Sequence, residues 1–123
     1  MSIAPGSHRK GVVYLEIPEL IEQLSNFLPT TLIASLSGVK DAGQVRKWAR
    51  GELAPTPASA ARLRFALDQA QRIASEESVK IATAWLTSAN ELLAFELPVK
   101  AIREDRFKDV ADALHAFVDG YSG

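Results

Sequence analysis

Residues 30–51 read TTLIASLSGVKDAGQVRKWARG, and the placing of their apolar, small and charged side chains decides how the whole chain folds. Leu32, Ile33, Ala34 and Leu36 form a short apolar stretch opened by Pro29, Thr30 and Thr31 and stopped by Ser37 and Gly38, which predicts one helix ending on a glycine. Asp41 followed three residues later by Gln44 resembles a capping box, in which two side chains satisfy free backbone N–H groups at a helix start. A second helix is therefore expected to run to about Arg50, with Gly51 as its left-handed terminator. Val45 and Trp48 share one face of it, whereas Arg46, Lys47 and Arg50 lie elsewhere.

Two short helices joined by a glycine-containing turn, with the small Ala34 four positions before Gly38 so that they cross closely, describe a helix-turn-helix. Cationic side chains are what phosphate binding requires, and Gln44 is chemically able to pair with adenine. Lys40, Gln44, Arg46, Lys47 and Arg50 are thus the candidate DNA-contacting residues, and Trp48 is expected to be a core anchor.

Helices also dominate on either side. Residues 1–11 contain Pro5, Gly6, Ser7 and Gly11 and read as a flexible tail. The β-branched run from Val12 to Ile17 could form a small strand. Pro18 suits a first helical turn, and Ile17, Leu20, Ile21, Leu24 and Phe27 follow the spacing of one buried face, predicting a helix that ends near Asn26. Pro55 and Pro57 delay the next helix, which is long and striped by Leu63, Ala66, Leu67, Ala70, Ile73 and Ala74. Ser75 with Glu76 and Glu77 reads as the cap of a further helix through Leu86, unless the long helix continues. Ser88 and Asn90 mark a turn, and Pro98 begins a short helix. Phe107, Val110, Ala111, Leu114, Phe117 and Val118 make a final amphipathic helix with Gly120 as its stop. The expected class is all-α: a tail over 1–11, a helix-turn-helix unit over 12–74 and a small helical domain over 75–123.

Charge divides along the same line. The net charge is −1 overall, yet residues 28–74 carry seven basic side chains against three acidic ones, whereas 75–123 carry five against nine. A basic middle and an acidic second half point to two surfaces with different partners. Solvated helix faces would give the same count.

Catalysis finds little support. There is no cysteine, which excludes thiol chemistry, disulfides and thiolate metal sites. His8 lies in the tail, and His115 stands beside the apolar stripe of the last helix with no second histidine at helical spacing. Glu104, Asp105, Asp109 and Asp112 surround a helix start, where negative charge meets the positive end of the macrodipole. The glycines form no phosphate-cradling run. No catalytic, cofactor-binding or metal site is expected. No apolar stretch approaches the roughly 20 residues of a membrane span, and the N-terminus lacks the apolar core of a secretory signal, so a cytoplasmic protein is expected.

The helix-turn-helix segment resembles the repressor-like class often called Xre, down to Val45-Arg46-Lys47-Trp48-x-x-Gly51, although Gly38 to Val45 is one residue longer than usual and Gly43 falls inside the helix. Residues 82–120 resemble the toxin-binding domain of Xre/MbcA/ParS antitoxins: Ala84-Trp85-Leu86, Ser88, Asn90-x-x-Leu93-x-x-x-x-Pro98, then Val110, Leu114 and Gly120. Where many members carry glycines after the leucine, this chain has Ala94 and Phe95. Together the two matches extend over about three quarters of the chain. They imply an antitoxin that neutralises a cognate RES-domain toxin, an NAD-consuming enzyme, by covering its active-site entrance. They also imply homodimerisation within the toxin–antitoxin complex, and operator DNA as a further partner through autorepression of the operon. Carried onto this chain, the covering segment is Gly120, Tyr121, Ser122 and Gly123. The alternative is a stand-alone transcriptional regulator whose C-terminal half serves only to dimerise.

Overall fold

In the computed structural model, which describes residues 11–120, the chain is all-α. Its helices are α1 (Ile17–Leu24), α2 (Thr30–Ser37), α3 (Ala42–Ala49), α4 (Pro57–Glu76), α5 (Val79–Leu86), α6 (Pro98–Arg103) and α7 (Phe107–Gly120), with 3-10 turns at Val12–Tyr14 and Glu91–Leu93. The proposed tail, apart from Gly11, and the terminal residues Tyr121, Ser122 and Gly123 lie outside the described residues.

Local chemistry accounts for most boundaries. Pro18, Pro57 and Pro98 stand in the first turns of α1, α4 and α6, where a missing N–H costs nothing. Gly38 closes α2 at φ 95°, its N–H reaching the Ala34 and Ser35 carbonyls, and Gly51 turns the chain after α3 at φ 72°. Thr56 caps α4 by accepting from Ser59 N–H at 3.1 Å.

Three expectations are corrected. Val12–Tyr14 is a 3-10 turn rather than part of a strand: a lone strand would leave its backbone unpaired, whereas here the Arg64 guanidinium donates to the Val12 and Leu15 carbonyls at 3.0 and 2.8 Å. The α1 helix ends at Leu24, and the following turn takes the chain past Asn26. Ser75 caps nothing, because its hydroxyl donates back to the Arg72 carbonyl; the break comes at Glu77, and Ser78 caps α5 by accepting from Ile81 N–H. As expected, α7 extends to Gly120, the last described residue, although without a left-handed backbone there.

One apolar core gathers the helices. The long α4 is its axis, with Leu63, Ala66, Leu67, Ala70 and Ile73 fully buried and α1, α2, α5, α6 and α7 packed along it. The division expected after residue 74 falls in the last turn of α4, and the same cluster of buried residues continues on both sides of it. Phe65 of α4 stacks on Phe107 of α7 at 4.5 Å between ring centres. Arg62 ties two turns together: it donates to the Ser37 carbonyl at 2.9 Å and to both oxygens of Asp105 at 2.9 and 3.1 Å. That carboxylate, hydrogen-bonded by the guanidinium, is held below its usual range. No described helix is long and apolar enough to cross a membrane.

Candidate functional site

The first candidate surface is α2, its turn and α3. Val45 and Trp48 are buried and dock α3 onto α1 and α2, so the opposite face is left to solvent. Lys40, Arg46, Lys47 and Arg50 are exposed on it, and Gln44 is half-buried. Asp41 caps α3 by accepting from Gly43 N–H at 2.8 Å, which replaces the expected reciprocal box with Gln44. A Cβ at position 43 would stand 3.1 Å from that carboxylate, so the glycine that weakens the helix also leaves room for its cap.

The cations are not equivalent. Arg50 meets Glu52 in a two-point pair at 2.7 and 3.2 Å, which raises the affinity of the guanidinium for its proton and lowers that of the carboxylate. Lys40, Arg46 and Lys47 make no close ion pair among the described residues, although Lys47 also feels the Glu52 carboxylate. The sequence reading missed Glu52. Its signal was the left-handed Gly51, which folds the chain back so that Glu52 N–H donates to the Lys47 carbonyl at 2.9 Å.

The second surface belongs to the acidic half. A shallow groove of about 260 Å³ runs between α5 and α7, lined by Ile81, Ala84, Trp85, Ser88, Ala89, Asn90 and Phe117. Trp85, Asn90 and Phe117 also line an adjoining hollow of about 320 Å³, with Leu92, Ala113, Ala116 and Gly120. Trp85 is 8% exposed and its ring leans on Phe117 at 6.1 Å, so these two residues form the floor. Leu92 and Phe95 stand at 63% and 70% exposure on the loop between α5 and α6. The sequence pattern placed Trp85 and Phe117 in helices but could not pair them across 32 residues.

Gly120, the first of the expected toxin-covering residues, lies at the exposed end of α7 against the second hollow. Tyr121, Ser122 and Gly123 lie outside the described residues. His115 is exposed, with its Nδ1 2.6 Å from an Asp119 carboxylate oxygen. Among the described residues no three metal-ligating side chains converge.

No protein-family model matches the chain. No solved structure matches it. Among curated proteins it is 29% identical over 107 residues to a probable mycobacterial cidal antitoxin of Mycobacterium tuberculosis strain H37Rv, covering 86% of this chain and 90% of that protein. Over most of its length, then, what the chain is similar to is an antitoxin.

Proposed function

We propose that this protein is an antitoxin that binds and neutralises a cognate RES-type, NAD-degrading toxin in the cytoplasm by occluding its active site, with no catalysis or cofactor of its own. The observation that carries the reading is the similarity to a probable cidal antitoxin over most of both chains. The apolar groove between α5 and α7 supports it, because a surface with a buried aromatic floor and apolar rim is suited to a protein partner. Docking is assigned to this C-terminal face, and occlusion to Gly120, the last residue of α7, with Tyr121, Ser122 and Gly123.

The same chain represses its own operon, as a dimer, through Lys40, Gln44, Arg46, Lys47 and Arg50. The support is an exposed face on and beside α3 whose apolar side is occupied by the core, leaving Lys40, Arg46, Lys47 and Arg50 exposed to meet phosphate. The deciding experiment is co-expression with the product of the adjacent reading frame. Growth rescue, a co-purifying complex and loss of NAD turnover are expected. A neighbouring gene product that neither binds this chain nor is silenced by it would refute the antitoxin reading and leave a stand-alone regulator.

A further inference from the structure

The loop after α5 holds two adjacent non-glycine residues, Ala94 and Phe95, in left-handed conformations at φ 57° and 67°. A side chain with a Cβ enters that region at a cost, and a bulky aromatic rarely does so. Here the loop leaves little choice. Asn90 N–H donates to the Glu96 carbonyl at 3.0 Å, Phe95 N–H to the Asn90 carbonyl at 2.8 Å, and Glu96 N–H to the Leu93 carbonyl at 3.0 Å. The Asn90 side chain accepts from Leu92 N–H at 2.9 Å, and fully buried Leu93 pins the loop from below. Backbone strain is thus spent on holding Leu92 and Phe95 outward, two of the most exposed large apolar side chains among the described residues. Neither belongs to the buried core or to the partly buried side chains packed against it.

Charge indicates what covers them. Glu91 lines the hollow beside Leu92 with no ion pair among the described residues, whereas Asp112 on α7 is already paired with Lys108 at 2.7 Å, so Glu91 is the carboxylate that faces the patch. Residues 75–123 carry nine acidic against five basic side chains. A second copy meeting this patch face to face would set like charges against each other, whereas a different protein with a cationic rim would be attracted. We propose that Leu92 and Phe95 are the specificity-determining anchors of this chain, inserting into an apolar cleft edged by lysine or arginine on the toxin. This rests on the antitoxin reading above and adds the residues that choose among toxins.

The test uses the full chain and the product of the adjacent reading frame, with affinity, melting temperature and sedimentation measured on wild type, Phe95→Gly, Phe95→Asn and Leu92→Ala. Glycine and asparagine both tolerate the left-handed backbone, so neither Phe95 variant is expected to melt below wild type. Both are expected to lose at least tenfold in toxin affinity, with a smaller loss for Leu92→Ala, and wild-type affinity should itself fall against a toxin whose rim cations are reversed to glutamate. Phe95 variants that bind as tightly as wild type overturn the anchor assignment alone. Variants that leave toxin binding intact but turn a dimer into a monomer overturn it in favour of a second copy as occupant. Wild-type protein that fails to bind overturns the antitoxin reading as well.

Discussion

Replacing Trp48 by alanine tests the joint on which the basic face depends. Trp48 is 1% exposed and holds α3 against both α1 and α2. Truncating a buried tryptophan costs about 3 to 5 kcal/mol, because the lost transfer energy adds to a cavity that neighbouring helices only partly fill. With an unfolding entropy of about 2.1 cal/mol/K per residue, 123 residues give about 0.26 kcal/mol/K, so the melting temperature should fall by about 12 to 19 °C. The indole adds a second term of opposite sign, shared by the alanine variant and the phenylalanine variant below, which puts the alanine loss toward the lower end of that range. Its Nε1–H is buried with no acceptor among the described residues, and an unsatisfied donor costs about 1 to 3 kcal/mol. Trp48→Phe removes that donor while leaving a smaller cavity, so it should lie within about 1.5 kcal/mol of wild type. Thermal and urea unfolding followed by circular dichroism measure both. An alanine variant that loses less than about 1 kcal/mol, or a phenylalanine variant as damaging as alanine, would refute this packing.

Arg62→Ala removes a charged donor from the buried Ser37 carbonyl, which keeps its bond from Ser59, and should cost about 2 kcal/mol by the same unfolding measurement. Asp105→Asn tests the other arm by pH: a carboxylate held below its usual range stabilises the fold at neutral pH, and that contribution disappears as pH falls through the depressed value. Wild type and variant should therefore differ in melting temperature at pH 7 and converge in strong acid. Alanine at both Arg46 and Lys47 should reduce the salt dependence of upstream-DNA binding by about 0.9 log unit per lost contact in a titration across salt concentrations. Arg50→Ala should do less, because Glu52 already holds that guanidinium, and Glu52→Gln should strengthen binding. Deleting Tyr121, Ser122 and Gly123 removes none of the described core, so the melting temperature should not change while NAD turnover by the toxin complex returns; full silencing by the truncated chain would mean that the tail is not the plug.

Where a boundary follows from one residue's own backbone chemistry, the order of residues was enough to find it. Gly38 and Gly51 end helices because they take positive φ without a Cβ, and Pro57 and Pro98 begin them because a first turn needs no N–H. The burial of Val45, Trp48, Leu63, Leu67, Val110 and Leu114 likewise follows from helical periodicity. The choice between Ser75 and Ser78 as a cap was not legible, since both serines precede the run to Leu86 and it is the continuation of α4 to Glu76 that leaves Ser75 inside a helix, its hydroxyl turned back to the Arg72 carbonyl. Nor was the Val12 turn, which depends on Arg64 arriving from 49 and 52 positions away. The positive charges of α3 were visible, but not the pairing of Arg50 with Glu52 that sets it apart. At the C-terminal face, the glycine-to-alanine and glycine-to-phenylalanine departures at 94 and 95 were visible as unusual residues; their left-handed backbone and outward side chains were not. Short-range rules speak for a residue and its near neighbours, whereas the groove, the clamp and the strained loop exist only where distant segments close on one another through the shared core around α4.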